Sequence, residues 1–337
     1  MRAAGLVGLV GILALAAPAG AEDFYQGKTV TLTIGGSVGG GYDALARGIA
    51  GYLKNHLPGN PAIVARNMPG GGGISAVNYL YNQAKRDGTE IGLVANNTPF
   101  EPLLGNKNAL YDARKFNWLG TPTFETALVM VWHTVPVRSL DDLKSRVTTM
   151  GASGATSSPA FFNRLLNAAL GTKMKAIIGY EGLNAVFLAM ERGEVEGTPS
   201  VFWSAITATR PSWIEDGLAR PIVQYGPERL PALGDTPFAP DLVKDGDDKL
   251  LLQAAIAPLA LGRPLLMPPE VPAERVALME KALFDTFADP EFQAHAKQTG
   301  LIADTPRTGR QLQEEIARTY AMPAPVLARM RKMMEEE

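Results

Sequence analysis

The sequence predicts an α/β protein folded as two lobes, and three observations carry that prediction. Strand-like and helix-like segments alternate along the chain. Glycine-rich loops follow two early strands, and the same alternation restarts with new material in the middle of the chain. Strand–loop–helix–strand repeats build βαβ units, in which helices cover a largely parallel sheet.

Residues 28–34 alternate apolar with polar and β-branched side chains, a strand pattern that residues 35–41 break. A helix opening at Asp43 then places Leu45, Ile49, Tyr52, Leu53 and His56 at the helical period, and Pro58-Gly59-Asn60-Pro61 stops it. The grammar repeats with a strand at 62–65, a loop at 67–73 and a helix at 74–84. The turn Asp87-Gly88 then leads into a strand at 90–95. In the middle of the chain, 127–132 is continuously apolar, as befits a strand buried on both faces. Ser139 reads as the N-cap of a short helix. Residues 147–150 lead into a loop at 151–159 and a helix carrying Phe161, Phe162, Leu165, Leu166 and Ala169. A strand at 175–178, a helix with Val186, Phe187 and Met190, and a strand near 220–224 close this block. Residues 250–266 read as apolar and extended. Beyond Pro268-Pro269, Val276, Met279, Leu283 and Phe287 share one helix face. The last helix carries Val326, Leu327, Met330, Met333 and Met334, a stripe expected to pack in a core. The division that follows is 22–122 plus 251–337 for one lobe and 123–250 for the other, linked by crossing strands.

Composition narrows the function classes. The 32 basic and 34 acidic side chains give a formal charge of −2, without the basic face of a nucleic-acid binder. Arg2, the apolar run 6–17, Pro18 and Ala19-Gly20-Ala21 read as a secretory signal cut after Ala21. That run is too short to span a bilayer, which needs about 20 residues. Cysteine is absent and histidine occurs only as His56, His133 and His295, so no disulfide, Cys-anchored lipid or Cys/His metal site is expected. No cofactor is expected either.

Two loops carry the chemistry. Ser37-Val38-Gly39-Gly40-Gly41-Tyr42 and Asn67-Met68-Pro69-Gly70-Gly71-Gly72-Gly73 each stand between a strand and a helix start. Glycine lets the backbone approach a ligand, and unpaired N–H groups with the helix dipole favour an anion there. Gly39-x-Gly41-x-x-Ala44 also fits a dinucleotide fingerprint, but no acid for the ribose follows at 63–67. Gly151-Ala152-Ser153-Gly154-Ala155 approaches a nucleophile elbow, with Ala155 where the closing glycine belongs and no base assignable. Ser153, Thr156, Ser157 and Ser158 read better as hydroxyl donors to an anion, with N-capping the plainer alternative.

At these loops the chain resembles the periplasmic solute receptors of tripartite tricarboxylate transporters, the TctC or Bug type. Gly39-Gly40-Gly41-Tyr42-Asp43-Ala44-Leu45-Ala46-Arg47 matches the first family motif, and 67–73 matches the second. Asp87-Gly88, the run 151–158, Tyr180-Glu181-Gly182, 193–196, 231–237 and 289–292 follow in the family's order. The resemblance implies a type II periplasmic-binding fold, α/β and two-lobed with a hinge of crossing strands, closing on a small carboxylate. It implies a monomer that hands its ligand to a membrane permease, without nucleic acid and without catalysis. It also implies ligand contacts at Ser37 to Tyr42, Asn67, Gly70 to Gly73, Ser153, Thr156, Ser157, Ser158, Tyr180 and Glu181. Asp43 is expected to organise the first loop, since its charge would repel an anion. Ser37-Val38 replaces the family's proline pair, which leaves that loop less pre-ordered. Glu181 replaces a Lys or neutral residue and, if it faces the cleft, disfavours a second ligand carboxylate. A micromolar site needs roughly 8 kcal/mol. Hydrogen bonds to a charged group contribute about 1.5–3 kcal/mol each, so a few backbone donors suffice without a buried Arg. A ligand-presenting partner of a sensor kinase fits the same residues, and a serine hydrolase using Ser153 is the remaining reading.

Overall fold

The computed structural model describes residues 24–335 apart from Thr156, Asp245 and Ile302. The signal read at 1–21 and the hydroxyl donor Thr156 therefore lie outside the described residues.

Strands β1 (Thr29–Ile34), β2 (Ala62–Asn67), β3 (Glu90–Leu93) and β4 (Asn117–Thr121) come first. Then follow β5 (Ala127–Trp132), β6 (Thr148–Gly151), β7 (Met174–Ile177), β8 (Gly197–Phe202) and β9 (Ala219–Tyr225). Two short strands, β10 (Leu265–Met267) and β11 (Arg307–Thr308), end the series. They form two sheets ordered β11-β4-β10-β3-β1-β2 and β7-β6-β8-β5-β9. In the first, β1 pairs in parallel with β2 and β3, while β10 runs antiparallel to β3 and β4. In the second, β6 pairs in parallel with β7 and β8, while β5 runs antiparallel to β8 and β9. Each sheet thus has three parallel strands followed by an antiparallel strand, and that strand is where the chain arrives from the other sheet.

The helices of the first block are α1 (Gly41–His56) and α2 (Ile74–Asn82). The second block holds α3 (Leu140–Ser145), α4 (Ser158–Leu170), α5 (Leu183–Glu191), α6 (Trp203–Thr209), α7 (Pro211–Glu215) and α8 (Ala239–Leu242). After them come α9 (Asp247–Leu261), α10 (Ala273–Ala288), α11 (Pro290–Thr299), α12 (Gly309–Tyr320) and α13 (Ala324–Glu335). Ser139 caps α3 through a reciprocal box with Asp142, as the sequence predicts. Among the described residues no helix is long and apolar enough to cross a membrane.

The cores follow the patterns that formed the elements. Val30, Leu32 and Ile34 of β1 meet Leu45, Ile49 and Leu53 of α1 and Met279, Leu283 and Phe287 of α10. Each such fully buried side chain contributes about 1.5–3 kcal/mol. Ala127, Val129 and Val131 of β5 pack with Phe161, Phe162, Leu165 and Leu166 of α4. Val326 and Met330 of α13 join this second core, so the methionine stripe packs as expected.

One expectation fails in its form. Residues 250–261, read as extended, belong to helix α9. From Leu251 to Leu261 every residue of this helix except Gln253 and Pro258 is buried. Leu251, Leu252, Ala255 and Leu259 enter the core of the second sheet, whereas Ala257, Ala260 and Leu261 enter a core beneath the first. With one exposed polar residue in that stretch it shows no helical period, as expected of a helix buried on nearly all sides.

The crossings set the geometry. β4 is parallel to β3, since both oppose β10, so β4 ends at the edge where β1 and β3 end. β5 starts beside the last residues of β8 and β9, as the pairs Ala127–Phe202 and Ala127–Tyr225 show. The segment 121–127 therefore joins the C-terminal edge of one sheet to the C-terminal edge of the other. The return crossing lies against it: the Glu125 N–H donates to the Leu259 carbonyl (2.9 Å) and the Arg263 N–H to Thr121 Oγ1 (3.0 Å). Gly262 fits at this contact because its φ is +57° and a Cβ there would fall 1.8 Å from the Thr123 carbonyl oxygen. Gly262→Ala is expected to destabilise the protein by at least about 2 kcal/mol in urea denaturation, through backbone strain and overpacking together.

Candidate ligand-binding cleft

Ligands of open α/β sheets bind beyond the C-terminal ends of parallel strands. Here two such edges face each other across the crossing segments. The first edge carries the loops after β1, β2 and β3, and the second the loops after β6, β7 and β8.

The β1 loop is shaped by Asp43, which is buried in the first turn of α1. Its carboxylate accepts from the Gly39 N–H (2.9 Å), Arg47 Nε (2.8 Å) and Asn67 Nδ2 (3.0 Å). These donors, the Gly39 amide foremost, hold its pKa below the usual carboxylate range. Asp43 thus organises the loop, as expected. The Gly39 N–H is thereby spent inside the protein, and the Gly40 N–H bonds the Ser37 carbonyl (3.2 Å). What remains for a ligand is the first turn of α1, whose cap Gly40 provides no side-chain acceptor. Ser37, Val38, Gly40 and Gly41 are exposed there. Asn67 is likewise engaged: its amide donates to the Gly36 carbonyl (3.0 Å) as well as to Asp43, and its oxygen accepts from Arg47 (2.9 Å). Its side chain positions two loops against each other.

The β2 loop shows why that motif is glycine. Gly70, Gly71, Gly72 and Gly73 all have positive φ, at 126°, 55°, 66° and 100°. Four consecutive residues in this region are open only to glycine at low cost. The turn closes through the Gly73 N–H on the Gly70 carbonyl (2.9 Å), and Gly73 caps α2 without a side chain. Both helix starts on this edge therefore present bare backbone.

Three residues here escaped the sequence reading. Asn96, just beyond β3, donates its N–H to the Tyr42 hydroxyl (3.3 Å) and brings a third loop to the edge. Burial pushes the Tyr42 phenol pKa up. Arg263 donates to the Gly41 carbonyl (2.9 Å) and stacks 5.5 Å from the Tyr42 ring, so a cation stands at the loop after all. It lies 222 positions from Gly41, beyond the reach of any local pattern. Glu125 is buried in the crossing, where it accepts from Ser204 Oγ (2.8 Å). Desolvation drives its carboxyl pKa up against the lowering effects of Ser204 and Arg263. Asn96 was the legible one, since a third parallel strand must also end in a loop at this edge.

On the second edge, Ser157 Oγ donates to the Gly154 carbonyl (2.6 Å) and caps α4 by accepting from the Ala160 N–H (3.5 Å). Its hydroxyl therefore does the N-capping that the plainer reading assigned it. Ser153 and Ser158 are exposed. The Tyr180 N–H donates to the Ala152 carbonyl (3.4 Å), tying the loop after β7 to that after β6. Tyr180 is half-buried, Glu181 is exposed, and Gly182 caps α5 without a side chain. None of the hydrogen bonds among the described residues joins 37–42 or 70–73 to 151–158.

The histidines stand elsewhere. His56 pairs with Asp289 (2.9 Å) at the end of α1, and His295 of α11 lies against Tyr52 of α1. His133 follows the end of β5, at the sheet edge opposite to Ser153. No group of three or more His, Cys, Asp or Glu among the described residues is placed to hold a metal ion.

Two pH dependences follow. Asp43 has a depressed pKa, so its contribution exists above the ordinary value and is lost as pH falls through the lowered one. The melting-temperature deficit of Asp43→Asn should stay constant above about pH 5 and shrink steadily as pH falls below about 4. Glu125 has the opposite sign, because its ionised form is penalised in the folded state. Glu125→Gln should raise the melting temperature at about pH 8 and lose that advantage near pH 4.

No family model matches the sequence, and no curated protein matches it. Solved structures do. The chain resembles a TctC solute-binding protein from Polaromonas with a TM-score of 0.71 and 16% identity, over 92% of this chain and 98% of that one. An R. palustris protein solved with adipate aligns at 0.59 and 19% identity, over 91% and 98%. MatC from Rhodopseudomonas palustris, solved with malate, aligns at 0.55 and 19%, over 91% and 99%. The fold is thus the two-lobed α/β architecture of the TctC-type periplasmic binding proteins.

Proposed function

We propose that the protein is an exported solute receptor that captures a small carboxylate in the periplasm and delivers it to the permease of a tripartite tricarboxylate-type transporter. The observation that carries this reading is the pair of bare helix starts, at Gly40–Gly41 and Gly73–Ile74, side by side on one sheet edge. Two helix N-termini with their backbone N–H groups thus lie at that edge, and Arg263 adds a cation beside Gly41. The neighbours solved with adipate and malate support a carboxylate as the ligand.

In this reading the lobes are 22–122 with 251–337 and 123–250, with α13 reaching over onto the second. The signal is cut after Ala21. Closure about the crossing segments brings Ser153, Ser158, Tyr180 and Glu181 onto a ligand held by 37–42 and 70–73. Val38, 75% exposed at the loop tip, gains its cover in that closed state. The role is one of binding as a monomer rather than of catalysis, in keeping with histidines that lie away from Ser153.

A thermal-shift series with mono- and dicarboxylates should show a melting temperature that rises with ligand concentration. A flat response across that series would overturn the reading. Gly40→Val should keep the fold, since φ at Gly40 is −82° and only the Ser37 carbonyl, 3.3 Å from a Cβ placed there, has to give slightly in an exposed loop. It should nonetheless weaken carboxylate binding by at least about a hundredfold in calorimetry, because the side chain occupies the anion's approach to α1. Recovery of the permease in a pull-down with liganded protein tests the transport role.

A further inference from the structure

We propose that the ligand is a monocarboxylate whose apolar body, at least as large as a benzene ring, enters a cavity between the lobes lined by Phe100, Phe161 and Phe202. This deepens the carboxylate-receptor reading and rests on it.

The cavity has a volume of about 310 Å³. It belongs to both lobes. Asn96 borders it from the loop after β3, and Ser158 borders it from the first turn of α4. The Asn96 N–H also bonds Tyr42, so the cavity begins next to the residues that would hold the anion. Away from these polar groups the lining turns apolar. Phe100 comes from the first lobe, Phe161 and Phe202 from the second, and Met334 of α13 closes one side. A dry cavity of about 150 Å³ accepts benzene, so this one has room for a ring with a short chain or for an extended alkyl chain. Met334 is half-buried, and its unbranched thioether can shift to fit bodies of different shape.

The lining also says what the body should lack. Glu101 is the one ionisable side chain among the described residues that line the cavity. Asn97 and Asn106 donate to its two carboxylate oxygens (both 2.9 Å), which holds its charge in place. A second ligand carboxylate would shed its water against phenyl rings and face a like charge. An alkyl or aryl body meets neither penalty and removes apolar surface from water. Glu181, exposed beside the cleft, adds negative charge on the opposite edge.

Calorimetric titration of the full chain with phenylacetate, octanoate, malate and adipate tests this. Phenylacetate and octanoate should each bind at least about tenfold more tightly than malate and adipate. Met334→Glu, which places a carboxylate in the cavity wall, should weaken octanoate by at least about tenfold and leave malate unchanged. Glu101→Gln preserves the size of the side chain and should narrow the gap between adipate and octanoate. Tighter binding of malate or adipate than of both apolar acids would overturn the inference while leaving the receptor reading intact. So would octanoate affinity unchanged in Met334→Glu. Absence of binding by all four acids would overturn both.

Discussion

The carboxylate of Asp43 is the interaction on which the first jaw of the cleft depends. It gathers the Gly39 N–H, the Asn67 amide and Arg47 around one buried charge, and so fixes the loop after β1 to the helix behind it and to the end of β2. Once that anchor is set, the polar groups of the loop divide into two kinds. The Gly39 and Gly40 N–H groups are consumed in holding the shape, while the first turn of α1 stays open. A carboxylate that holds its own loop by accepting several N–H bonds is strongly biased toward the ionised form. Its negative charge is thus stabilised by two neutral donors and paired with Arg47, so it is directed into the protein rather than toward the open first turn of α1.

The second constraint is the contact between the two crossings. Thr121, Thr123, Gly262 and Arg263 meet there within hydrogen-bond or van der Waals distance. Because both crossings attach at C-terminal strand edges, the two sheets can only present those edges to each other. Helix α9 feeds apolar side chains to a core on each side. Its C-terminal end, near Gly262, and residues 121–127 are the two stretches of chain that pass between the sheets. Glu125 is buried in that segment. There desolvation disfavours its ionised form against the Ser204 hydrogen bond and the nearby Arg263.

Part of this was legible residue by residue. The period of α1, the cap Ser139 and the glycine run 70–73 each state their geometry locally. The four positive φ values that follow Pro69 are met at low cost by glycine alone.

Other features were hidden for identifiable reasons. Helix α9 carries no period because nearly all of its residues from Leu251 to Leu261 are buried, and so it read as an extended apolar segment. Arg263 reaches Gly41 only because β10 inserts beside β3, a pairing set by the crossing rather than by any local motif. Ser157 and Asn67 are of the right type to bind an anion, yet the fold gives their side chains internal partners first. The sequence by itself determined the α/β alternation, the strand-to-helix glycine loops and the apolar faces, since these follow from backbone conformation and the period of burial. Which donors stay free and which cation stands beside them were decided by tertiary structure alone, because hydrogen-bond partners are allotted among groups far apart in the chain.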